Sequence, residues 1–473
     1  MVENIKIEIS ETNRGKEQLI INRKYKYNFS KLKKDNSKVY RCTEYKTLNK
    51  CKSFININDN KDILEYESEH NHLEKEFDAS VSITKHKIKE EIRKSSIPMD
   101  LKPKHIYNEV SQEMGFICPE YNSIRSQIIR KINKQLPPDV TTFDEIPEES
   151  EYYKTERGEN FMIFKNTNLV IFQSPFQAEL FGKYYKDVFV DGTFYIAPKF
   201  SYQVFITRAY VSSFNKFYTT SVSILKNKEQ ATYEILFYEL QKNARKFSNT
   251  GATPTNLHCD FEIGISNAAK KIFPDINIRF CVWHFKRSLE KQKNKICYSE
   301  VDKNDDIYTY YKAISNLPFI NPEYIFDVYV KIAFLSKKNK YDNFSVFLEY
   351  FKVNYLHKYD VNDWNYYNNI EHITNNSSES YNNYLNNLFP KKPSFYKLII
   401  ILKKEESLSY NDFKNTKNGI NRKKPKLKCK TDLIKDLIES YKNDEKELES
   451  TDREGFVKLW YRCLIDLNNK KYQ

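Results

Sequence analysis

The chain has 473 residues, room for about three domains that each bury an apolar core. Its longest unbroken apolar run is Leu398 to Leu402, far short of the roughly 20 residues that span a bilayer, and the opening MVENIKIEIS carries no apolar signal core, so neither membrane passage nor secretion is expected. The formal net charge of +14 suits a polyanionic partner, but a chain biased throughout toward Lys, Asn, Ile and Tyr reaches such a charge without that selection, and charge alone leaves both readings open.

Only nine glycines occur, so each is expected to answer a backbone need, and eight scattered cysteines favour metal ligation or packing in a reducing compartment over a disulfide framework. Residues 5 to 75 alternate short β-like runs (Gln18 to Ile21, Lys24 to Phe29, Lys38 to Cys42, Ser53 to Ile57, Ile63 to Tyr66) with polar breaks, which predicts a small β module. Within it Cys42 and Cys51 are separated by eight residues, and His70 and His72 follow after eighteen more. Two thiolates and two imidazoles are a complete set for tetrahedral zinc. An extended segment would put His70 and His72 on one face, and a structural ion would stabilise a core too small to fold unaided. Four unrelated residues in a Lys-rich loop region are the competing reading of the spacing.

The segment resembles a FLYWCH zinc finger through Arg14-Gly15, Leu19, Tyr25, Tyr27, Tyr40-Arg41-Cys42, Cys51 and His70-Asn71-His72. The resemblance implies Cys42, Cys51, His70 and His72 as ligands of a structural Zn²⁺. It departs at Val39-Tyr40, where that family carries Tyr-Trp.

From Ser82 to Gln135 the pattern turns helical, with Ile124, Ile128 and Ile132 spaced for one face. Pro137 to Glu151, with its prolines and clustered acids, reads as a linker. Strands are then expected at FMIFK and LVIFQ (161–165 and 169–173), a helix at Pro175 to Tyr185, and strands at Val188 to Asp191, Tyr202 to Tyr210 and Thr219 to Leu225. A helix over Lys228 to Lys246 follows, then a strand at Thr255 to Asp260, a short helix to Lys271, a strand at Asn277 to Cys281 and a helix from His284. Three strands, then helix, strand, helix, strand is the ribonuclease H-like order.

Asp191 and Asp260 each end an apolar run, Val188-Phe189-Val190 and Leu257-His258-Cys259. Phosphodiester chemistry with two divalent ions needs such carboxylates, because hard cations take oxygen ligands; a lone Asp at a strand end is also a common helix cap. Residues 188–390 resemble a Mutator-like (MULE) transposase domain through Asp191-Gly192-Thr193-Phe194, Ala197-Pro198-Lys199, Tyr202-Gln203, Asp260-Phe261-Glu262, Phe273-Pro274 and Cys281-Val282-Trp283-His284-Phe285. That resemblance implies Asp191 and Asp260 as ligands of Mg²⁺ or Mn²⁺. It also implies a Cys281-x-x-His284 pair beside the site, with the histidine contacting the scissile phosphate or orienting a ligand. The pair is not read as a second zinc site, since two ligands are too few; a buried Cys and a helix-start His is its bland reading. The third acid is assigned to Glu379, in a stretch resembling the family's late motif (Thr374-Asn375-Asn376-Ser377-Ser378-Glu379), with Glu371 as the fallback. Asn376 and Glu379 also fit a capping box that would serve the helix alone.

The basic run Arg422 to Lys430 fits nuclear import or DNA-backbone contact as well as a solvated charge run. The sequence thus predicts a multidomain α+β chain: a small β-rich zinc finger (5–76), a helical region that could contact DNA (80–136), a ribonuclease H-like α/β catalytic domain (155–390) with an all-helical insertion at about 300–370, and a helical basic tail (391–473). The function implied is a nuclear DNA transposase that nicks and joins DNA through Asp191, Asp260 and Glu379, with His284 beside them. Its partners would be double-stranded DNA, at terminal inverted repeats and target, and no membrane; a homodimer or higher oligomer is left open. The rivals are a non-catalytic DNA-binding regulator on the same fold, and a finger that binds protein.

Overall fold

The computed structural model describes residues 5–12, 15–94, 103–115, 118–133, 137–248, 252–373, 376–420, 430–449 and 451–468, and the chain divides into two compact units, Met1–Asp139 and Val140–Gln473. In the first unit β1 (Ile7–Glu11), β2 (Glu17–Ile21), β3 (Tyr25–Leu32), β4 (Lys38–Cys42), β5 (Phe54–Ile57) and β6 (Ile63–Glu67) form one antiparallel sheet in chain order. Alternation along β2 decides what each face buries. Leu19 and Ile21 join Tyr27, Tyr40, Cys42, Cys51, Ile55 and Ile57, while Ile20 points the other way into the helices α1 (Glu76–Lys94), α2 (Pro103–Met114) and α3 (Tyr121–Asn133). The stripe Ile124, Ile128 and Ile132 lies in that second core. Of the left-handed turn positions of the sheet, Gly15 (φ 75) takes one, and in a glycine-poor chain Asn22 (φ 52), Arg23 (φ 59), Asn36 (φ 63), Lys50 (φ 46) and Lys61 (φ 68) take the others, of which the asparagines tolerate that region best.

The second unit is built on a sheet of β7 (Met162–Lys165), β8 (Leu169–Phe172), β9 (Asp187–Thr193), β10 (Gln203–Val211), β11 (Lys216–Leu225), β12 (Asn256–Cys259) and β13 (Asn277–Phe280). Their spatial order is β13-β12-β9-β10-β11-β8-β7. From β9 to β7 the neighbours are antiparallel; β12 runs parallel to both β9 and β13. The helices α4 (Pro175–Lys183), α5 (Gln230–Phe247), α6 (Ile263–Ile272) and α7 (Val282–Ile296) fall between or after these strands. Strands β9 to β11 are buried on both faces; β9 reads as a nearly continuous apolar run for that reason, while the buried hydroxyl of Thr207 on β10 meets those of Thr220 and Ser221 on β11 at 2.7 Å.

Residues 298–364 fold as α8 (Tyr298–Lys303), α9 (Asp305–Asn316), α10 (Ile325–Lys338), α11 (Asp342–Phe351) and α12 (Val361–Trp364), a π-helical turn following α11. The chain then returns to the sheet as α13 (Asn376–Leu388) and continues through α14 (Phe395–Lys417), α15 (Lys430–Lys446) and α16 (Arg453–Asp466). Residues 421–429, most of the basic run Arg422 to Lys430, lie outside the described residues.

Two expectations change here. The stretch Pro137 to Glu151 is no free linker: Val140, Phe143 and Ile146 are buried, and the Phe143 ring meets Phe200 edge-on at 5.1 Å. Nor are residues after 391 an appendage, since Tyr441, Phe456 and Trp460 belong to the same core as α9 and α10. Farther along, α14 brings Glu406, whose side chain is 1% exposed, to Arg157 at 2.7 Å and to the Ser174 hydroxyl, which donates to it at 2.6 Å. Removing one partner of a buried ion pair strands the other. We therefore expect Glu406→Ala to cost about 3 kcal/mol, read as a lower denaturant midpoint at unchanged slope; an unshifted midpoint would show that Glu159, also on Arg157 at 2.8 Å, suffices alone.

Candidate metal centres

In the first unit Cys42 ends β4, and Cys51 follows a turn in which its amide donates to the Glu44 carbonyl at 3.3 Å. His70 and His72 come after β6. Contrary to the expected extended segment, residues 71–72 form a bend, pinned where the Asn71 amide donates to the Asn49 carbonyl at 2.5 Å. The two rings stand nearly perpendicular, at 82°, and converge because His70 presents Nδ1 and His72 presents Nε2. Cys42 Sγ lies 3.2 Å from His72 Nε2, Cys51 Sγ 3.4 Å from His70 Nδ1, and the two nitrogens 3.1 Å apart. Bond lengths of zinc to sulfur and nitrogen give tetrahedral edges of about 3.3 to 3.8 Å, so the four donors fit that ion.

The far nitrogens are occupied as zinc-binding histidines require. His70 Nε2 is 2.8 Å from the Tyr27 hydroxyl, His72 Nδ1 is 3.0 Å from the Leu73 carbonyl, and Tyr25 stacks on His70 at 3.6 Å. Burial and the neighbouring Cys51 push the Cys42 thiol up to about 12; burial and His72 bring His70 down to about 4. A divalent cation bound here would reverse the reluctance of the Cys42 thiol to ionise. At the departure noted in the sequence, Val39 and Tyr40 are both buried, the Tyr40 hydroxyl bonded to the Glu17 carboxylate.

In the second unit the parallel pairing of β12 with β9 matches His258 to Phe189, a register that, continued two residues, sets Asp260 beside Asp191. Asp191 is buried. Its Oδ1 accepts from the Gly192 amide at 2.8 Å and its Oδ2 from the Asn382 amide of α13 at 2.6 Å. One turn earlier on α13 stands Glu379, and α7, which starts at Val282 rather than at the expected His284, presents His284 in its first turn. His284 Nδ1 is 2.8 Å from Asp260 Oδ1 and 3.8 Å from Glu379 Oε1, yet all three atoms are buried without an aligned hydrogen bond.

Cys281, which precedes α7, joins this group: donor atoms of Cys281, His284 and Glu379 lie within 4.8 Å of one another. The Cys-x-x-His pair therefore has a carboxylate partner that its sequence neighbourhood did not supply. Glu371, the fallback acid, is exposed and outside that cluster. Thr374 and Asn375 lie outside the described residues, as do the side chains of Asn376 and Ser377, and with them the capping-box reading. Asn382 was missed; its one signal is its spacing of three from Glu379, which puts both on one helix face.

Burial and then the Asp260 charge raise the Asp191 carboxyl to about 7, and burial also raises Glu379. Burial works against protonating His284, but its contacts with Asp260 and Cys281 outweigh it and hold the imidazolium up to about 10. His284 thus carries positive charge between the acids at the end of β12 and on α13, with Asp191 of β9 in electrostatic reach of all three. Apart from the His284 imidazolium, Asp260 Oδ1 and Glu379 Oε1 have no donor in aligned geometry, and their remaining lone pairs are what a hard divalent ion would take.

Residues 9–72 match the FLYWCH zinc finger domain and residues 188–288 match the MULE transposase domain. The first match spans the four zinc donors. The second spans Asp191, Asp260, Cys281 and His284 and stops short of Glu379. No curated protein matches the chain. No helix among the described residues is long and apolar enough to cross a membrane. The chain carries both domains, which mark it as a DNA-binding, metal-binding protein: a transposase or a protein derived from one.

Proposed function

We propose that this chain, with its FLYWCH finger and MULE transposase domain, is a metal-dependent DNA transposase whose second unit is ribonuclease H-like and whose triad is Asp191, Asp260 and Glu379. The fold reading is supported by three antiparallel strands, β9 to β11, with β12 and β13 added in parallel on the far side of β9. One observation carries the catalytic reading. Two carboxylates from remote segments, Asp260 and Glu379, approach His284 within the electrostatic reach of Asp191, and one buried oxygen of each has no aligned hydrogen bond.

Asp191, Asp260 and Glu379 would hold two Mg²⁺ or Mn²⁺ ions, which when bound supply charge stabilisation to the attacking and leaving oxygens of an in-line displacement. Asn382 fixes one Asp191 oxygen through its amide and leaves the other carboxylates to face the phosphate. His284 holds Asp260 and Glu379 together and offers an imidazolium proton to a phosphate oxygen. Water as nucleophile gives a nick; a DNA 3′-hydroxyl gives strand transfer. The finger, and the helices after it, bind the element's inverted repeats in the nucleus.

The experiment is a Mn²⁺-dependent nicking and strand-transfer assay on DNA carrying the element's own ends, run beside Asp191→Ala. Metal-dependent products that vanish in the variant are the expected result. Salt-sensitive binding without products in any metal would make the chain a DNA-binding regulator instead, and absence of DNA binding would leave the finger as a protein-interaction module.

A further inference from the structure

Beside the carboxylates the chain leaves large aromatic rings in water. Phe194 follows β9, three residues after Asp191, and is 46% exposed; Tyr202 precedes β10 and is 48% exposed; Tyr195 between them is 39% exposed. Single exposed rings are ordinary, but a group of them at the rim of an acidic site is not. Phe194 and Tyr202 meet edge to face at 5.4 Å. Above both lies a cation: Lys228 Nζ is 5.1 Å from the Phe194 ring centre and 5.7 Å from that of Tyr202.

Lys228 is held there by a chain of bonds. It donates to Glu262 Oε2 at 2.8 Å; Glu262 Oε1 accepts from the Tyr233 hydroxyl at 2.7 Å, which in turn accepts from Gln203 Nε2 at 2.8 Å. Both Glu262 oxygens are thereby engaged, and an ammonium with three donors keeps two for a ligand. Lys228 also lines a cavity of about 490 Å³ together with Asp260, Glu262 and His284, so a phosphate on Lys228 is a near neighbour of one at the carboxylates.

Rings that stack and a cation that pairs with phosphate describe a nucleotide, and a base inside a duplex has no free face to stack. We propose that Phe194, Tyr202 and Lys228 form a seat for an unpaired nucleotide of the DNA strand, adjoining the phosphate held at Asp191, Asp260 and Glu379. This rests on the reading that those acids cut DNA. One of the two rings stacks on the base and the other, at 86° to it, meets the base edge-on, while Lys228 takes its phosphate. They are positioning residues; the acids remain the reacting site.

The test uses the full chain in calcium buffer with a 12-nucleotide single strand bearing one 5-iodouracil. After irradiation the adduct is expected on the peptide holding Phe194 or Tyr202. The double variant Phe194→Ala/Tyr202→Ala should lose that adduct and bind the strand about 5- to 100-fold more weakly, while Phe194→Tyr/Tyr202→Phe keeps both. Lys228→Gln should flatten the dependence of log affinity on log salt by about one phosphate contact. Because these side chains are half in water, the variants should keep the wild-type melting transition. Adducts only elsewhere, residues 1–139 included, or unchanged affinity in the double alanine variant would overturn the seat. If the protein nicks DNA with either of those results, the catalytic reading stands and the seat falls; an adduct at Phe194 without nicking in any metal gives the reverse.

Discussion

Glu379→Gln is expected to lower metal-dependent nicking at least about 10³-fold, roughly 4 kcal/mol of transition-state stabilisation, while Glu371→Gln leaves it within about twofold. The substitution keeps the volume and one acceptor oxygen and removes the charge, so a purely structural Glu379 would tolerate it. A ligand to a divalent ion would not, because the ion's hold on the phosphate depends on carboxylate charge. Affinity for DNA should change little, since backbone contacts and not this acid supply most of it. Glu379 stands 3.8 Å from the imidazole that Asp260 approaches at 2.8 Å; Glu371 is exposed on a turn, its amide on the Asn369 side chain at 3.0 Å. Nicking within tenfold of the parent in Glu379→Gln, or lost in Glu371→Gln, would sink the assignment.

Asp191 and Asp260 stand out as acids closing apolar runs, as strands buried on both faces read, but a lone strand-end acid is also a helix cap, and it is the resemblance that implies them as metal ligands. What no single run carries is register. Asp191 and Asp260 are neighbours only because β12 lies parallel beside β9, and a pairing between segments so far apart is a tertiary fact. Glu379 came from resemblance to a family motif alone, and Asn382, bonded to Asp191, left no signal beyond its spacing. The edge strand β1 was missed because IEISE is only half-buried in a charged hairpin. In sequence the helices after residue 391 read as a tail, because their apolar residues, Trp460 among them, name no partner until α9 and α10 are in place. The histidine bend reads as a strand for the opposite reason: the spacing of two fits both, and the choice of ring nitrogen, which makes them converge, is invisible in sequence.

Losing the Cys42–Cys51–His70–His72 cluster should unfold the first unit and spare the second. The core around the site is small, and two of its eight buried members, Cys42 and Cys51, belong to the four-donor cluster itself. The strand nearest the histidines contributes little, since Ile63 and Leu64 of β6 are 38% and 53% exposed. Structural zinc in comparable fingers contributes about 10 to 16 kcal/mol, as much as the whole stability of an ordinary domain, about 5 to 15 kcal/mol. Cys42→Ser/His72→Ala should therefore drop bound zinc from one per chain to near none and cost the far-ultraviolet signal of the β-sheet. All three tryptophans, Trp283, Trp364 and Trp460, lie in the second unit, so their fluorescence transition reports that unit alone and should not move. Both signals shifting together would mean that the units fold as one, and zinc retained in the double variant would mean that the four residues are not its site.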